Sequence, residues 1–499
     1  MVELPNPLIP GFNPDPSVVR VGDDYYVCTS TFEYLPGLPI YHSKDMINWK
    51  TIGHVVTTEH QLESANIPTN GGAWAPTIRH HDGVFYVVVT DAMGRGTLMF
   101  TATDPAGPWS DGIVTNISGI DPDIFWDEDG TCYATFSGLQ LTGKEFGKHL
   151  GIQQAKLDTT TGQLLEEPRS IWSGVGGMFP EAPHIYKIGE YYYLFIAEGG
   201  TERGHGESVA RSKSVAGPFE SGPNNPFLSA RSTIRPVQNT GHGDLVQLKD
   251  GTWAMVLLGM RTRGQTRSFS SLGRETFVSR ITWENDWPVA EPVHLNDVLP
   301  EPEFVDDFTA NQLNHEWVGI RRLPSSVSKL ESDGLHIKGE NASMSELRPA
   351  FVGKRLRRHI GIVKADISVT GVGGISIRYD EVSHYDIEIA NGKVIARSSH
   401  SRIVHEVEAN NYSDDGKTEL YMEFVTSPET FTIDGQSCDF IRLGYFDKSE
   451  KQQLVAEFDG RFLAAEVACS FMRSKFNERL HQCMLIGECF KGGGPLLNP

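Results

Sequence analysis

The sequence predicts an all-β chain, a five-bladed β-propeller followed by a C-terminal β-sandwich of jelly-roll type. Three observations carry that expectation. One short phrase recurs five times before residue 260; the composition, with 51 Gly and 28 Pro in 499 residues, favours a turn-rich chain; and from Phe304 onward short runs alternate apolar and polar residues.

Each copy of the phrase joins a small or acidic corner, usually with proline, to an apolar strand, a turn and an aromatic strand. The copies open at Asp15-Pro16, Ala75-Pro76, Asp121-Pro122, Glu181-Ala-Pro183 and Gly243-Asp244, and their second strands begin near Tyr25, Phe85, Tyr133, Tyr191 and Trp253. Positions 16, 76, 122, 183 and 244 are 60, 46, 61 and 61 residues apart. That period suits a blade of roughly 40–50 residues with inserted loops. A further phrase, ending in Trp49, Trp109 and Phe219, reads as an outer hairpin whose aromatic packs between blades. The repeats stop near Glu301-Pro302-Glu303, so residues 1–300 are assigned to the propeller and 304–499 to the sandwich. In the latter, Gly374–Tyr379 and Tyr385–Ile389 read as half-buried antiparallel strands. The tail from about residue 469 is atypical: Met472 to Leu485 reads as helical, odd for the end of a sandwich.

A formal net charge of −20 without a long basic run argues against nucleic acid or an anionic membrane as partner and suits a neutral substrate. The six cysteines show no disulfide or zinc-like spacing, and the N-terminus lacks the basic and apolar regions of a signal peptide. The expected address is therefore cytoplasmic, or secreted if a leader was removed.

The chemistry concentrates at the corner of the repeat. A purely structural corner would ask for similar residues in every blade, yet here it reads Asp15, Ala75, Asp121, Ala182 and Gly243, with Trp74, Glu181 and His242 one position earlier in the second, fourth and fifth copies. Asp before Pro is also an ordinary way to enter a strand, so the pattern and not the dipeptide carries the inference. Glycoside hydrolysis needs one carboxyl group that holds a proton and one that is ionised. Glu181, after Met178-Phe179-Pro180, has the apolar setting that suits an acid; Asp15, among Asn13, Ser17 and prolines, has the polar setting of a base. Asp121 is the third charge, able to tune and orient the acid, while Asp123 is the weaker candidate because it sits two residues further along the strand. Trp74 and Phe32 read equally as a floor for a sugar ring or as blade packing. His242, between glycines, reads as a ligand for central water or metal or as a core hydrogen-bonding group. Arg274 can meet substrate or a catalytic carboxylate, or pair with Glu275.

Together these residues form an ordered set. Asn13-Pro-Asp15-Pro-Ser17, Thr29-Ser-Thr-Phe32-Glu33, Pro39-Ile-Tyr-His-Ser-Lys-Asp45, Trp74-Ala-Pro76 and Gly119-Ile-Asp121-Pro come first. Glu181-Ala-Pro-His184, Gly241-His-Gly-Asp244, Gly273-Arg-Glu-Thr276, Arg378-Tyr-Asp-Glu381 and His384-Tyr-Asp386 follow. The set resembles glycoside hydrolase family 43, above all its β-xylosidases and α-L-arabinofuranosidases. The resemblance implies a five-bladed propeller, a sandwich whose loop helps close the site, and an inverting mechanism. It implies Asp15 as general base, Glu181 as general acid and Asp121 as the modulating carboxylate, with Arg274, Trp74 and Phe32 shaping the sugar pocket. No cofactor is required, and a calcium ion near His242 is allowed.

The expected substrate is a xylo- or arabinoxylo-oligosaccharide that loses its terminal pentose, with β-1,4-xylosidase activity first and α-L-arabinofuranosidase or dual activity as rival. A non-catalytic carbohydrate-binding propeller stays open from another class, although it would not need three acids together; a protein-interaction propeller would need none. The Met178-Phe179-Pro180 lead-in and the tail after Ala468, which lacks a glycine-rich closing strand, depart from the family pattern. Oligomeric state cannot be read from the sequence.

Overall fold

The structure is a computed structural model. It describes residues 3–141, 143–264, 269–296, 303–410, 412, 416–426, 439–468 and, as backbone alone, 485–492. It divides into two compact units, Met1–Arg261 with Arg274–Glu301, and Thr262–Gly273 with Pro302–Pro499.

In the first unit each repeated turn folds one strand back on the next. Ser17–Val21 pairs with Asp24–Cys28, Gly72–His81 with Val84–Ala92, and Ile120–Trp126 with Cys132–Leu139. Glu181–Ile188 pairs with Tyr191–Glu198, and Val237–Gln247 with Trp253–Arg261. Two or three further strands complete each of five antiparallel sheets. The five first strands touch in the order of the chain, and the fifth touches the first, closing a ring. Apolar clusters fill the spaces between neighbouring sheets. Ile124 and Phe136 meet Val88 and Met99; Ile185 and Leu194 meet Tyr133 and Ile152; Phe195 and Val209 meet Leu257 and Phe277; Val18 and Val27 meet Val246 and Val256. Phe219, from the second repeated phrase, packs on the third-to-fourth sheet cluster, and Trp49 on the fifth-to-first. The N-terminal segment latches the ring: Leu8 and Ile9 donate to the Thr276 carbonyl at 2.8 and 3.1 Å, and the Asn6 side chain brackets the backbone of Val278.

Among its described residues the second unit is built on two larger sheets, beside a small hairpin of Ser328–Glu331 with Gly334–Ile337. One runs Phe351–Arg355, Leu485–Gly492, Gly371–Asp380, Ser383–Ala390, Lys393–His400, Ile403–Glu408; the other runs Gly361–Ile367, Thr418–Thr426, Asp439–Phe446, Gln452–Asp459. Alternate residues of both, including Ile375, Ile377, Tyr385 and Ile387 against Leu420, Met422, Ile441 and Leu443, share one core, as a sandwich requires. The closing strand that the tail put in doubt is supplied by the backbone of Leu485–Gly492, and Leu485 is extended, not helical. The rest of the expected helix lies outside the described residues.

Within this sandwich Ser345 Oγ stands 3.0 Å from His384 Nε2, and His384 Nδ1 stands 2.9 Å from Asp386 Oδ2. That is the hydrogen-bond order of a serine hydrolase. The N–H groups of Ser345 and Glu346, however, donate to the Oγ and carbonyl of Ser343 at 3.3 and 3.0 Å, so neither can hold an oxyanion. The trio tethers its loop to the sheet.

Candidate active site

Every first strand from the second sheet to the fifth breaks its ladder at the same corner. The register shifts between Ala73 and Pro76, Ile120 and Asp123, Glu181 and His184, and Gly241 and Asp244. In the first three of these the cause is proline, which has no N–H for the ladder; in the fifth sheet glycines flank the break. The extra residue bulges and re-aims its neighbours. Asp121, Ala182 and His242 accordingly sit in the left-handed region at φ 49, 51 and 54°, and Asp15, ahead of the unbroken first strand, shares it at 54°. Non-glycine residues hold that conformation only where the surroundings enforce it.

Around this corner Asp15, Asp121, Glu181, His242 and Arg274 are all buried, at 8 % exposure or less. Arg274 forks onto Asp15, Nη1 on Oδ1 and Nη2 3.4 Å from Oδ2, while Ser30 Oγ donates to Oδ2 at 2.5 Å. Glu275, the alternative partner suggested by the sequence, is taken by Arg261 at 2.7 and 2.8 Å. Burial pulls Arg274 down to about 10, while Asp15, Glu181 and Asp121 act in the opposite direction, so one guanidinium feels all three acids. Asp121 Oδ2 accepts the Ala182 N–H at 3.1 Å, which joins the third sheet to the backbone beside Glu181.

His242 Nδ1 lies 3.9 Å from Asp15 Oδ1; burial pulls its pKa down to about 3, Asp15 opposes, and His184, His205 and Arg274 add to the fall. His242 is therefore a neutral ring at neutral pH. Phe32 is buried against Phe12, its ring 6.0 Å from the Arg274 guanidinium carbon, and its backbone exchanges hydrogen bonds with Ala73 at 2.9 and 3.1 Å. Trp74 is 5 % exposed, with Nε1 donating to the Asn70 carbonyl at 2.8 Å, which fixes the plane of the indole.

Sequence reasoning missed the layer next to these acids. Arg79 Nη1 donates to Asp244 Oδ2 at 2.8 Å, and its Nη2 reaches Asp123 Oδ1 and His184 Nδ1, both at 2.9 Å. Tyr186 donates to Asp244, as does Ser17 Oγ at 2.6 Å. The network thus takes Ser17, Arg79, Asp123, His184 with Tyr186, and Asp244 from the five sheets in turn. Asp123 belongs here and not with the three acids. The available signal was Arg79 itself, a full charge three residues past Pro76 in a first strand that otherwise carries none at neutral pH.

The sequence profile of glycosyl hydrolases family 43 matches residues 4–288, and that of the beta xylosidase C-terminal concanavalin A-like domain matches 305–476. The chain is 41% identical over 419 residues to a non-reducing end alpha-L-arabinofuranosidase of Bacteroides ovatus, covering 78% of this chain and 77% of that protein. It is 38% identical over 383 residues to a xylosidase/arabinosidase of Butyrivibrio fibrisolvens, covering 72% and 73%. The crystal structure of a xylan beta-1,4-xylosidase from Bacillus halodurans superposes with a TM-score of 0.83 at 28% identity, covering 98% of this chain and 97% of that one.

Proposed function

We infer the reaction from one premise: the chain belongs to glycosyl hydrolases family 43 and is a glycosidase acting on carbohydrate. We propose that it is exo-acting and inverting, releasing terminal pentoses from xylan-derived oligosaccharides, most directly as a β-1,4-xylosidase. The observation that supports this best is the Arg274 fork on Asp15 within the field of Glu181 and Asp121. In this reading Asp15, ion-paired and accepting from Ser30, takes the proton of the water that attacks the anomeric carbon. Glu181 gives its proton to the leaving oxygen as the glycosidic C–O bond breaks, and the new C–O bond forms on the opposite face of the sugar. Asp121 holds the backbone next to Glu181 and so orients it. Arg274, Phe32 and Trp74 shape the pocket of the terminal sugar.

Calcium does not fit at His242. A hard cation seeks six to eight oxygen ligands, whereas His242 is surrounded by His184, His205 and the Arg274 cation, and the nearby Asp15 is already taken by Arg274. Among the described residues the convergent trio of ligand-type side chains is Glu331, Asp333 and His336, all exposed, on a hairpin of the second unit. No step is assigned to a metal.

A second reading, α-L-arabinofuranosidase or dual activity, draws on the printed activities of the Bacteroides and Butyrivibrio relatives. Turnover of p-nitrophenyl β-D-xyloside against p-nitrophenyl α-L-arabinofuranoside decides between the two. The same assay on Asp15→Ala and Glu181→Ala tests the mechanism: unchanged turnover in both variants would sink it.

A further inference from the structure

We propose that Ser137 and His149 are a positioning pair that fixes the acid Glu181 from the neighbouring sheet, an inference that rests on reading Glu181 as the acid. Ser137 is fully buried, in the strand Cys132–Leu139, opposite the Ile120 that precedes Asp121. Its Oγ donates to the Pro180 carbonyl at 3.0 Å and meets His149 Nε2 at 2.9 Å. Gly151 N–H donates to His149 Nδ1 at 3.0 Å.

These three bonds fix every proton. Because Nδ1 accepts from Gly151, the neutral ring carries its hydrogen on Nε2. Nε2–H then donates to Ser137 Oγ, and the one hydroxyl proton of Ser137 is left for Pro180. Burial lowers the pKa of His149, a hydrogen bond to the Pro180 carbonyl opposes it, and the net fall favours this neutral ring. Gly151 is required for the arrangement: at φ +75° a Cβ there would lie 2.8 Å from Ser173 Oγ and 2.9 Å from the Trp172 carbonyl.

The Pro180 carbonyl belongs to the peptide that enters Glu181, and the Ala182 N–H held by Asp121 belongs to the peptide that leaves it. The third sheet therefore clamps the acid on both flanks. Such a clamp is needed because the bulge after Glu181 interrupts its own ladder, with Phe179 and Ala182 both at φ 51°. A displacement of about 1 Å at a reacting group can cost on the order of 100-fold in rate.

The test is a series of aryl pentosides, of the sugar that the wild type prefers, graded from phenyl to 2,4-dinitrophenyl. A dinitrophenolate leaves without a proton, whereas phenol needs the acid. Ser137→Ala and His149→Ala should lose about 10–100-fold on the phenyl glycoside and less than about 3-fold on the dinitrophenyl one. The basic limb of the kcat/KM profile should move with them, and Ser137→Thr, which keeps the hydroxyl, should restore both. Equal losses across the series, or wild-type rates throughout, would overturn the pair. Glu181→Ala in the same assay separates the two claims: if it shows no leaving-group dependence, the acid assignment fails. If it does and Ser137→Ala does not, the positioning pair fails alone.

Discussion

Arg274 holds Asp15 at both carboxylate oxygens, from a position 259 residues away in the chain. That fork ties the N-terminal corner of the first sheet to the start of the third strand of the fifth, where the ring closes. It orients the base and places a cation among three acids. A lysine can supply the charge but not two parallel donors.

Arg274→Lys should therefore lower kcat by about 10–100-fold with a smaller change in KM. Arg274→Ala should lose more, and should also destabilise the protein by about 3–5 kcal/mol because the buried Asp15 charge is left unpaired. Steady-state kinetics with urea unfolding check both. Wild-type kcat in Arg274→Lys would show that the fork does not serve catalysis.

Arg79 bridges Asp123 and Asp244, both fully buried, in a network drawn from all five sheets. Arg79→Met keeps much of the volume and removes the cation, leaving two buried carboxylates facing each other. We expect a loss of about 3–5 kcal/mol in unfolding free energy, measured by urea titration of the intact chain. A change below about 1 kcal/mol, the range of exposed ion pairs, would mean that the network does not hold the ring.

The buried histidines set a pH dependence. Burial holds His205 at about 4 and His242 at about 3, against about 6.5 in an unfolded chain. As pH falls from 6.5 to 4 the unfolded chain binds these protons and the folded one does not, so stability falls with pH. The slope approaches about 1.4 kcal/mol per pH unit for each histidine. Glu207, raised by burial, acts in the opposite direction above the ordinary carboxylate range; Asp244, which pairing with Arg79 holds low, contributes only below it. The clean measurement is thus a difference. His205→Gln should flatten the stability curve between pH 6.5 and 4 relative to wild type, and parallel curves would contradict the account.

Much of this was legible in the sequence because the repeat fixes the corner. Asp15 and Asp121 stand out at a corner that holds Ala75, Ala182 and Gly243 in the other blades, and Glu181 one position ahead of it; all three are among the buried groups that act on Arg274. Two things were not legible. The bulges that aim Asp121 and Glu181 depend on strand pairing, which local sequence does not specify, although Pro122 and Pro183 mark where the ladder must fail. The partners of Arg274 and Arg79 lie between 44 and 259 residues away, and no local pattern encodes which acid each will meet. The Leu485–Gly492 strand was hidden for the same reason, since it pairs with Phe351–Arg355 and Gly371–Asp380 far upstream.

The central claim is that Asp15 and Glu181 act as base and acid on opposite faces of the sugar, with a water between them. Proton NMR of the first-formed product tests it most directly, before mutarotation mixes the anomers. Hydrolysis of a β-xyloside should release α-xylose first, with the β-anomer growing only at the mutarotation rate. Initial release of β-xylose would mean a covalent intermediate and retention, and would contradict the assignment of Asp15 as a base.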